Sequence, residues 1–329
     1  HEGFQVVRGV EDEFPAETGP GRESSDFLLT VLDGYTPHLE VRADASWDSD
    51  DLDIHRLTAA GTFTVFTNKL LQVIPVYETF RQPGQADITN GKPGAGFITP
   101  LARNWALHAY GWYDRFRSSE PLLGGADKLD WDRFGGDFWF TWIALSRLRL
   151  DFGGTSKPVE TFAALNDHIG FQQANLSADW RFARHWTVGA SGQAADYSDG
   201  NEKLKGGLRV DWRREGRWEF IVGPVLTYMD FAKPYPGQYW APDWVRNGSV
   251  EATVQTRTRR MTFRFNGSIG SEKELGSEAK TVGGASARVG WRFHPGWLAA
   301  LEGGYSKSSF ASASGYSRTF ANLSVRAFF

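Results

Sequence analysis

Long segments of this chain alternate apolar and polar residues one by one. In residues 38–47 the apolar set begins with Leu39 and Val41, and the residues between them are polar or charged. The same pattern recurs over residues 203–213 and 260–269. Because successive side chains of a β-strand point to opposite faces, this period of two predicts strands with one apolar and one polar face. A soluble sandwich shows the same pattern, so further features must identify the surroundings of each face.

The length of the alternating segments favours strands that cross a membrane. They commonly run for 11 to 14 residues, whereas strands of globular proteins usually have about 5–6. A strand tilted near 45° needs about 9–11 residues to cross the hydrocarbon region of a bilayer. The longest nearly apolar run, residues 220–229, is about half the roughly 20 residues that a membrane-spanning helix requires. The sequence therefore excludes a helical membrane protein.

Tryptophan pairs bracket three tight turns, RFARH, RREGR and RFHPG, at the same spacing. Tryptophan prefers the membrane interface, because its ring favours hydrocarbon while its N–H favours water. Packing at the ends of soluble hairpins is the alternative, but the repeated spacing and the basic turns favour a girdle at the membrane interface. The predicted girdle consists of Trp180, Trp186, Trp212, Trp218, Trp291 and Trp297.

The chain ends on an alternating strand whose last residue is aromatic. This ending resembles the C-terminal signal by which bacterial outer-membrane β-barrels are recognised by their assembly machinery, and it implies that machinery as a partner. The residues that carry the pattern are Leu323, Val325, Ala327 and Phe329.

These features together predict an all-β protein, a transmembrane antiparallel up-and-down β-barrel in the bacterial outer membrane. An even number of about 16 strands places both termini on the periplasmic side, and a barrel of that size has a water-filled lumen. The predicted strands are 37–47, 53–66, 70–81, 94–100, 104–116, 131–144, 146–154, 168–182, 185–197, 203–214, 217–230, 244–257, 260–271, 280–293, 297–310 and 317–329.

The first 36 residues do not share this alternation. They are acidic and rich in glycine and proline, which predicts a linker or a segment folded into the barrel mouth, with the barrel over residues 37–329. The sequence has no initiating methionine and no signal peptide. We therefore expect either a mature chain or a fragment of a longer protein.

Three stretches, SWDSDDLDIHRLTAAGTF, HAYGWYDRF and AADYSDGNEKLKGGLRVDW, resemble the barrels of tetratricopeptide-repeat exopolysaccharide export proteins. This family includes the poly-N-acetylglucosamine export porin and the cellulose-secretion outer-membrane channel. The resemblance covers residues 37–329. It implies a 16-stranded barrel that follows a periplasmic helical-repeat region, receives its polymer from an inner-membrane synthase complex, and conducts a polysaccharide through its lumen.

The sequence lacks the residues and motifs that an enzyme, a metal-binding protein or a nucleic-acid-binding protein would need. There is no cysteine, which excludes disulfides and cysteine nucleophiles, and the net charge of −3 argues against binding to nucleic acid. None of the seven histidines lies in a nucleophile motif, so we predict no catalysis and no cofactor. The acidic clusters at residues 48–53 and 199–202 lack the pattern of a calcium loop. We interpret them as solvated turns and predict no metal site.

The polar faces of the predicted strands carry more basic than acidic residues. Ion pairs across the wall would consume most of these charges, and the remainder favours a neutral or anionic solute over a cationic polymer such as a partly deacetylated glycan. The predicted charged lining includes Arg209, Arg213, Arg264, Arg288, Arg292, Asp114 and Asp137.

Three aromatic residues, Tyr110, Trp112 and Trp139, share the predicted lumenal face. Aromatic rings stack on the apolar faces of sugars, so a lumenal aromatic track suits a glycan. A register error of one residue would turn all three toward lipid instead, and both placements stay open at this level.

The sequence therefore predicts an export channel for an extracellular polysaccharide, a passive conduit through an aqueous lumen. Two alternatives remain, a general diffusion porin for small solutes and a surface receptor or adhesin scaffold. The proline- and aromatic-rich loop at residues 231–243 fits either a constriction or a lid.

Overall fold

The computed structural model describes residues 36–66, 69–102, 104–122, 127–144, 147–258, 260–308 and 317–329. The segment predicted as a linker or barrel-mouth segment, residues 1–36, lies outside these ranges except for its last residue.

The described chain forms a single closed antiparallel sheet with one short helix, α1 (Phe162–Asn166). No helix in these ranges is long and apolar enough to cross a membrane. The strand segments are β1 (His38–Asp48), β2 (Asp53–Phe66), β3 (Lys69–Val73), β4 (Val76–Arg81), β5 (Ile88–Lys92), β6 (Gly94–Ala102), β7 (Trp105–Pro121), β8 (Lys128–Ala144), β9 (Leu148–Pro158), β10 (Gly170–Ala183), β11 (Trp186–Tyr197), β12 (Glu202–Arg214), β13 (Trp218–Phe231), β14 (Trp244–Arg257), β15 (Met261–Glu274), β16 (Lys280–His294), β17 (Trp297–Lys307) and β18 (Ser317–Phe328).

The 18 segments make 16 spanning strands, because two strands are each built from two segments. Both β3 and β4 pair with β2, and both β5 and β6 pair with β7. The breaks fall at Pro75 and Pro93, since proline has no N–H to donate to the ladder. The predicted number of strands is confirmed. The predicted strand 94–100 covers only the second half of its strand, because Pro93 interrupts the alternation that begins at Ile88.

The first and last strands close the barrel. The pairing of β1 with β18 runs from His38 opposite Phe328 to Asp48 opposite Arg318. Across this seam Arg326 donates to Glu40 at 2.6 Å. The two ends of the described chain therefore lie together at the end of the barrel with the short turns, which is the periplasmic end in outer-membrane barrels.

Each strand presents an apolar face outward, as the period of two predicts. Leu39, Leu176, Leu204, Leu208 and Leu301 expose more than half of their surface. Apolar residues that face outward on strand after strand match the lipid-facing surface of outer-membrane barrels.

Candidate functional site

The candidate site is the lumen, which holds a cavity of about 1160 Å³. Its lining comes from β1–β13 and β18 and from two loops at the end with the long loops. We call residues 159–169, between β9 and β10, the lid loop. We call residues 232–243, between β13 and β14, the companion loop.

The lid loop folds into the barrel mouth and builds an apolar core there. On one flank, Phe162 and Leu165 of α1 pack in a buried cluster with Phe80, Ile88 and Phe116 of the wall. All five side chains expose 5% or less of their surface. A barrel of 16 strands is wide enough to hold water, so this dry cluster fills a part of the mouth that wall residues alone would leave open.

The other flank of the lid loop packs against the companion loop. Ala164 and Ile169 share a second buried cluster with Tyr239 and Ala241 of the companion loop. The Thr161 hydroxyl accepts a hydrogen bond from the Ala164 amide at 3.1 Å, which caps α1, and donates to the carbonyl of residue 238 at 2.6 Å. The two loops thus form one closure over the mouth.

Asn201 fixes the companion loop to the turn between β11 and β12. Its fully buried side chain donates to the Lys233 carbonyl at 2.9 Å and to the Tyr239 hydroxyl at 3.0 Å, and it accepts from the Lys233 amide. The Tyr239 hydroxyl also donates to Asp199 at 2.9 Å. The polar residues of the β11–β12 turn therefore hold the companion loop in place. Within the described ranges, no group of three or more His, Asp or Glu side chains forms a metal site.

A network of buried polar groups lies on the same wall as the apolar core. Asn90 donates to Glu78 at 2.8 Å and to Asp114 at 2.9 Å. Arg56 binds Glu78 at 2.5 Å, and Trp112 donates to Asp114 at 2.8 Å. Because the interior weakens screening, such a satisfied network holds this side of the lumen in one arrangement.

The lid loop carries one carboxylate, Glu160, into a basic part of the lumen. Arg56 lies 3.4 Å from it. Burial alone would raise the pKa of Glu160, but the charges of Lys157, Arg56, Lys92 and Arg318 lower it below its usual range. The lumen at this level therefore stabilises a carboxylate.

The predicted arginines face the lumen, and neighbouring strands supply carboxylates to several of them. Arg213 contacts Glu219, and Arg288 lies 3.7 Å from Glu302. Arg264 lies opposite Arg288 and binds the Asn266 side chain at 3.1 Å. Arg292 donates to the carbonyl of residue 295 at 3.0 Å. These partners reduce the excess of positive charge that the sequence predicts for the polar faces of the strands.

The Arg209 pair shows how a glycine allows one such contact. Arg209 on β12 binds Asp179 on β10 at 2.7 Å, although β11 runs between the two strands. The β11 residue opposite both is Gly189, and a Cβ there would lie 2.6 Å from each side chain. The bare backbone of Gly189 lets the ion pair form above it.

The three predicted aromatic residues all line the cavity. Trp139 lies against Gly153 of the next strand, where an added Cβ would come 2.5 Å from its ring. It exposes 38% of its surface, whereas Trp112 exposes 7% and is covered by the Lys92 ammonium at 4.5 Å. Tyr110 donates to the Ile74 carbonyl at the break in the third spanning strand, at 3.0 Å. Trp139 is therefore the most exposed of the three, since Tyr110 is half-buried.

Beside Trp139, the wall carries polar groups suited to hydroxyl-rich ligands. Asp137 lies opposite Tyr110, and its Oδ1 atom is buried without a hydrogen-bond partner in the described ranges. Further along the wall, Gln173 and Gln193 both donate to the Asn175 side chain, at 2.8 and 2.9 Å. The arrangement offers donors and acceptors next to an aromatic face.

Two lysines on this wall lie close to the same aromatic ring. The sequence did not predict this cluster. The Lys157 and Lys203 ammonium groups each lie 5.7 Å from the centre of the Phe171 ring, and Tyr197 stands beside Phe171 at 5.3 Å. Lys157 escaped prediction because the strand was expected to end at residue 154, after two glycines. The strand itself continues to Pro158.

The predicted tryptophan girdle lies near the short-turn end of the barrel, at strand ends. Trp186 pairs in register with Trp212, and the other four expose 44–54% of their surface. The structure adds Trp105 and Trp142, whose rings stack 5.4 Å apart at the same end. Their role at a membrane interface stays a prediction.

The predicted assembly signal lies on β18, the strand that closes the barrel, and ends one residue beyond it at Phe329. Leu323 and Phe329 expose 52% and 66% of their surface, and Phe329 contacts the Phe63 ring at 6.3 Å. Its amide donates to the carbonyl of residue 37 at 3.2 Å.

Deleting Phe329 is expected to reduce the amount of barrel assembled in cells far more than the stability of barrel already formed, because its side chain buries little surface. Surface abundance in cells measures assembly, and the melting temperature of the purified protein measures stability. Phe63→Ala, which removes the ring that Phe329 contacts and leaves Phe329 in place, is the packing control. Equal abundance of the deleted and full-length chains would contradict an assembly role.

Comparison with solved structures places this architecture among outer-membrane barrels. The chain is similar to a bacterial polysaccharide outer membrane secretin, with 13% identity, 90% of this chain and 99% of that chain covered, and a TM-score of 0.68. It is also similar to CdiB from Acinetobacter baumannii, with 7% identity, 88% and 60% covered, and a TM-score of 0.51. No protein-family model and no curated protein matches the chain. At these identities the likeness establishes the fold.

Proposed function

We propose that the chain is an outer-membrane channel through which a bacterium exports an extracellular polysaccharide. The polymer passes as through a passive conduit, without a cofactor or a catalytic step. The single observation that carries the proposal is the lumenal wall at Trp139, where an open aromatic ring lies flat on Gly153 beside a row of amide side chains. An aromatic face next to amides suits a chain of sugars, whose rings have apolar faces and hydroxyl edges.

The chain is similar to a polysaccharide secretin over nearly the whole length of that protein, which supports polysaccharide export over other channel functions. In the proposed arrangement the short-turn end faces the periplasm. A helical-repeat region upstream of the barrel receives the polymer from an inner-membrane synthase, and the lid and companion loops close the outer mouth between export events.

A second candidate is a diffusion porin for small solutes, which the inward-folded lid loop also fits. The two candidates differ in what the loop does. A porin uses such a loop to narrow a permanently open pore, whereas the apolar packing of Phe162 and Leu165 fits a closure that must move. Nothing in the described loops favours the receptor or adhesin alternative.

Changing Trp139 to alanine is expected to weaken binding of a neutral glucan, because the open ring then no longer stacks on sugars. The probe is cellohexaose, titrated calorimetrically into the full chain in detergent. A loss of roughly two- to tenfold in affinity follows from a stacking contact of about 0.5–1.5 kcal/mol. Trp142→Ala, on the outer face of the same strand, is the matched control. Absence of binding, or equal binding by wild type and Trp139→Ala, would contradict the proposal.

A further inference from the structure

The lumenal wall at β9–β12 carries positive charge, which a neutral sugar does not require. We define the lysine wall as Lys157, Phe171, Gln173, Tyr197 and Lys203, all of which line the cavity. They come from four adjacent strands. In register, Lys157 lies opposite Phe171, and Phe171 lies opposite Tyr197.

Neither ammonium group of the lysine wall is in direct contact with a carboxylate. Lys203 reaches the Gln173 side chain at 3.5 Å and the Tyr197 ring at 6.0 Å. In the described part of the chain, no carboxylate lies within 4.0 Å of either Lys157 or Lys203. A partly buried cation that lies beside aromatic rings, with no carboxylate in direct contact, can accept a carboxylate from a ligand.

Lys205 extends the same basic surface one layer further along β12, where it lies opposite Gln193. The nearest acidic group contributed by the lid loop is Glu160, and Arg56 binds it at 3.4 Å. The chain thus already places one carboxylate of its own in this basic region.

We propose that the lysine wall is a binding subsite for an acidic sugar unit, with the sugar ring on Phe171 and Tyr197 and its carboxylate on Lys157 and Lys203. The subsite rests on the proposed export function and assigns the polymer to the class of acidic polysaccharides. Because Lys157 also faces the Glu160 carboxylate of the lid loop, Glu160 competes with the incoming sugar for this lysine, and arrival of the polymer weakens one of the interactions that hold the lid loop inward.

The test compares two probes of equal length, an oligogalacturonate hexamer and cellohexaose, titrated into the full chain in detergent at physiological salt. Wild type binds the acidic hexamer at least fivefold more tightly than the neutral one. Lys157→Gln combined with Lys203→Gln removes this preference and leaves cellohexaose binding unchanged. Lys273→Gln, an exposed lysine away from the cavity, has no effect on either probe.

Glu160→Gln gives a readout of opposite sign that a merely structural defect would not produce. Removing the competing carboxylate strengthens binding of the acidic hexamer and leaves the neutral hexamer unaffected. The preference for the acidic hexamer also shrinks in 1 M salt, where the Debye length is about 3 Å instead of about 8 Å.

Equal affinity for both hexamers in wild type, or an acidic preference that survives the double lysine change, overturns the subsite. If cellohexaose still binds with dependence on Trp139 in that case, the export function stands while the acidic subsite falls. If neither hexamer binds, the proposed function itself fails.

Discussion

Replacing residues 160–168 of the lid loop by a short Gly-Ser linker is expected to raise single-channel conductance in planar bilayers severalfold. The replacement removes Phe162 and Leu165 from the mouth, where both are buried among wall residues. Burying a side chain of this size contributes about 1.5–3 kcal/mol, so the closed arrangement dominates in the intact chain. Without the lid loop, the mouth has the width of a 16-stranded barrel.

A linker that replaces the β15–β16 turn, residues 275–279, is the matched control, because it removes a loop of the same end that lines no part of the cavity. Its conductance should equal that of wild type. If the lid-loop replacement also conducts like wild type, the two loops do not close the channel, and the diffusion-porin alternative gains support.

Locking the two loops together is expected to abolish opening. Thr161→Cys combined with Gln238→Cys places one cysteine in each loop at a point where the loops touch, since the Thr161 hydroxyl donates to the carbonyl of residue 238 at 2.6 Å. The chain has no other cysteine, so the bond is unique. Oxidised channels should stay at the lowest conductance level, and a reducing agent should restore the openings of wild type.

Each single cysteine variant serves as a control, since neither forms the bond. Formation of the disulfide is checked by mass under oxidising conditions before recording. Oxidised channels that open as often as reduced ones would show that the lid and companion loops do not have to separate during opening.

The sequence predicted the wall of the barrel well, because the wall depends on local alternation. Period two places Leu204 outward and Lys203 inward whatever the rest of the chain does. It also predicted the number of spanning strands. It predicted one strand, 70–81, through Pro75 without the break there, and it began the next strand at residue 94, after Pro93, which left out residues 88–92.

The contents of the lumen were less predictable, because they depend on contacts between distant segments. The alternation of the strand predicted that Arg209 faces the lumen. It did not predict that Arg209 pairs with Asp179, which lies two strands away across Gly189. The lid loop has no signal of its own, since Phe162 and Leu165 in a short helix find their apolar surroundings only after the barrel closes. The companion loop was predicted as a constriction or a lid, and the structure places it against the lid loop.

The most direct test of the account is the amount of extracellular polysaccharide made by a bacterium that lacks this chain. Neutral sugar and uronate in the medium are measured by colorimetry for the deletion strain, for the strain complemented with wild type, and for the strain complemented with the cysteine-locked variant. We expect that deletion lowers the polymer in the medium to background, that wild type restores it, and that the locked variant restores it only with a reducing agent. Unchanged polymer in the deletion strain would contradict the account.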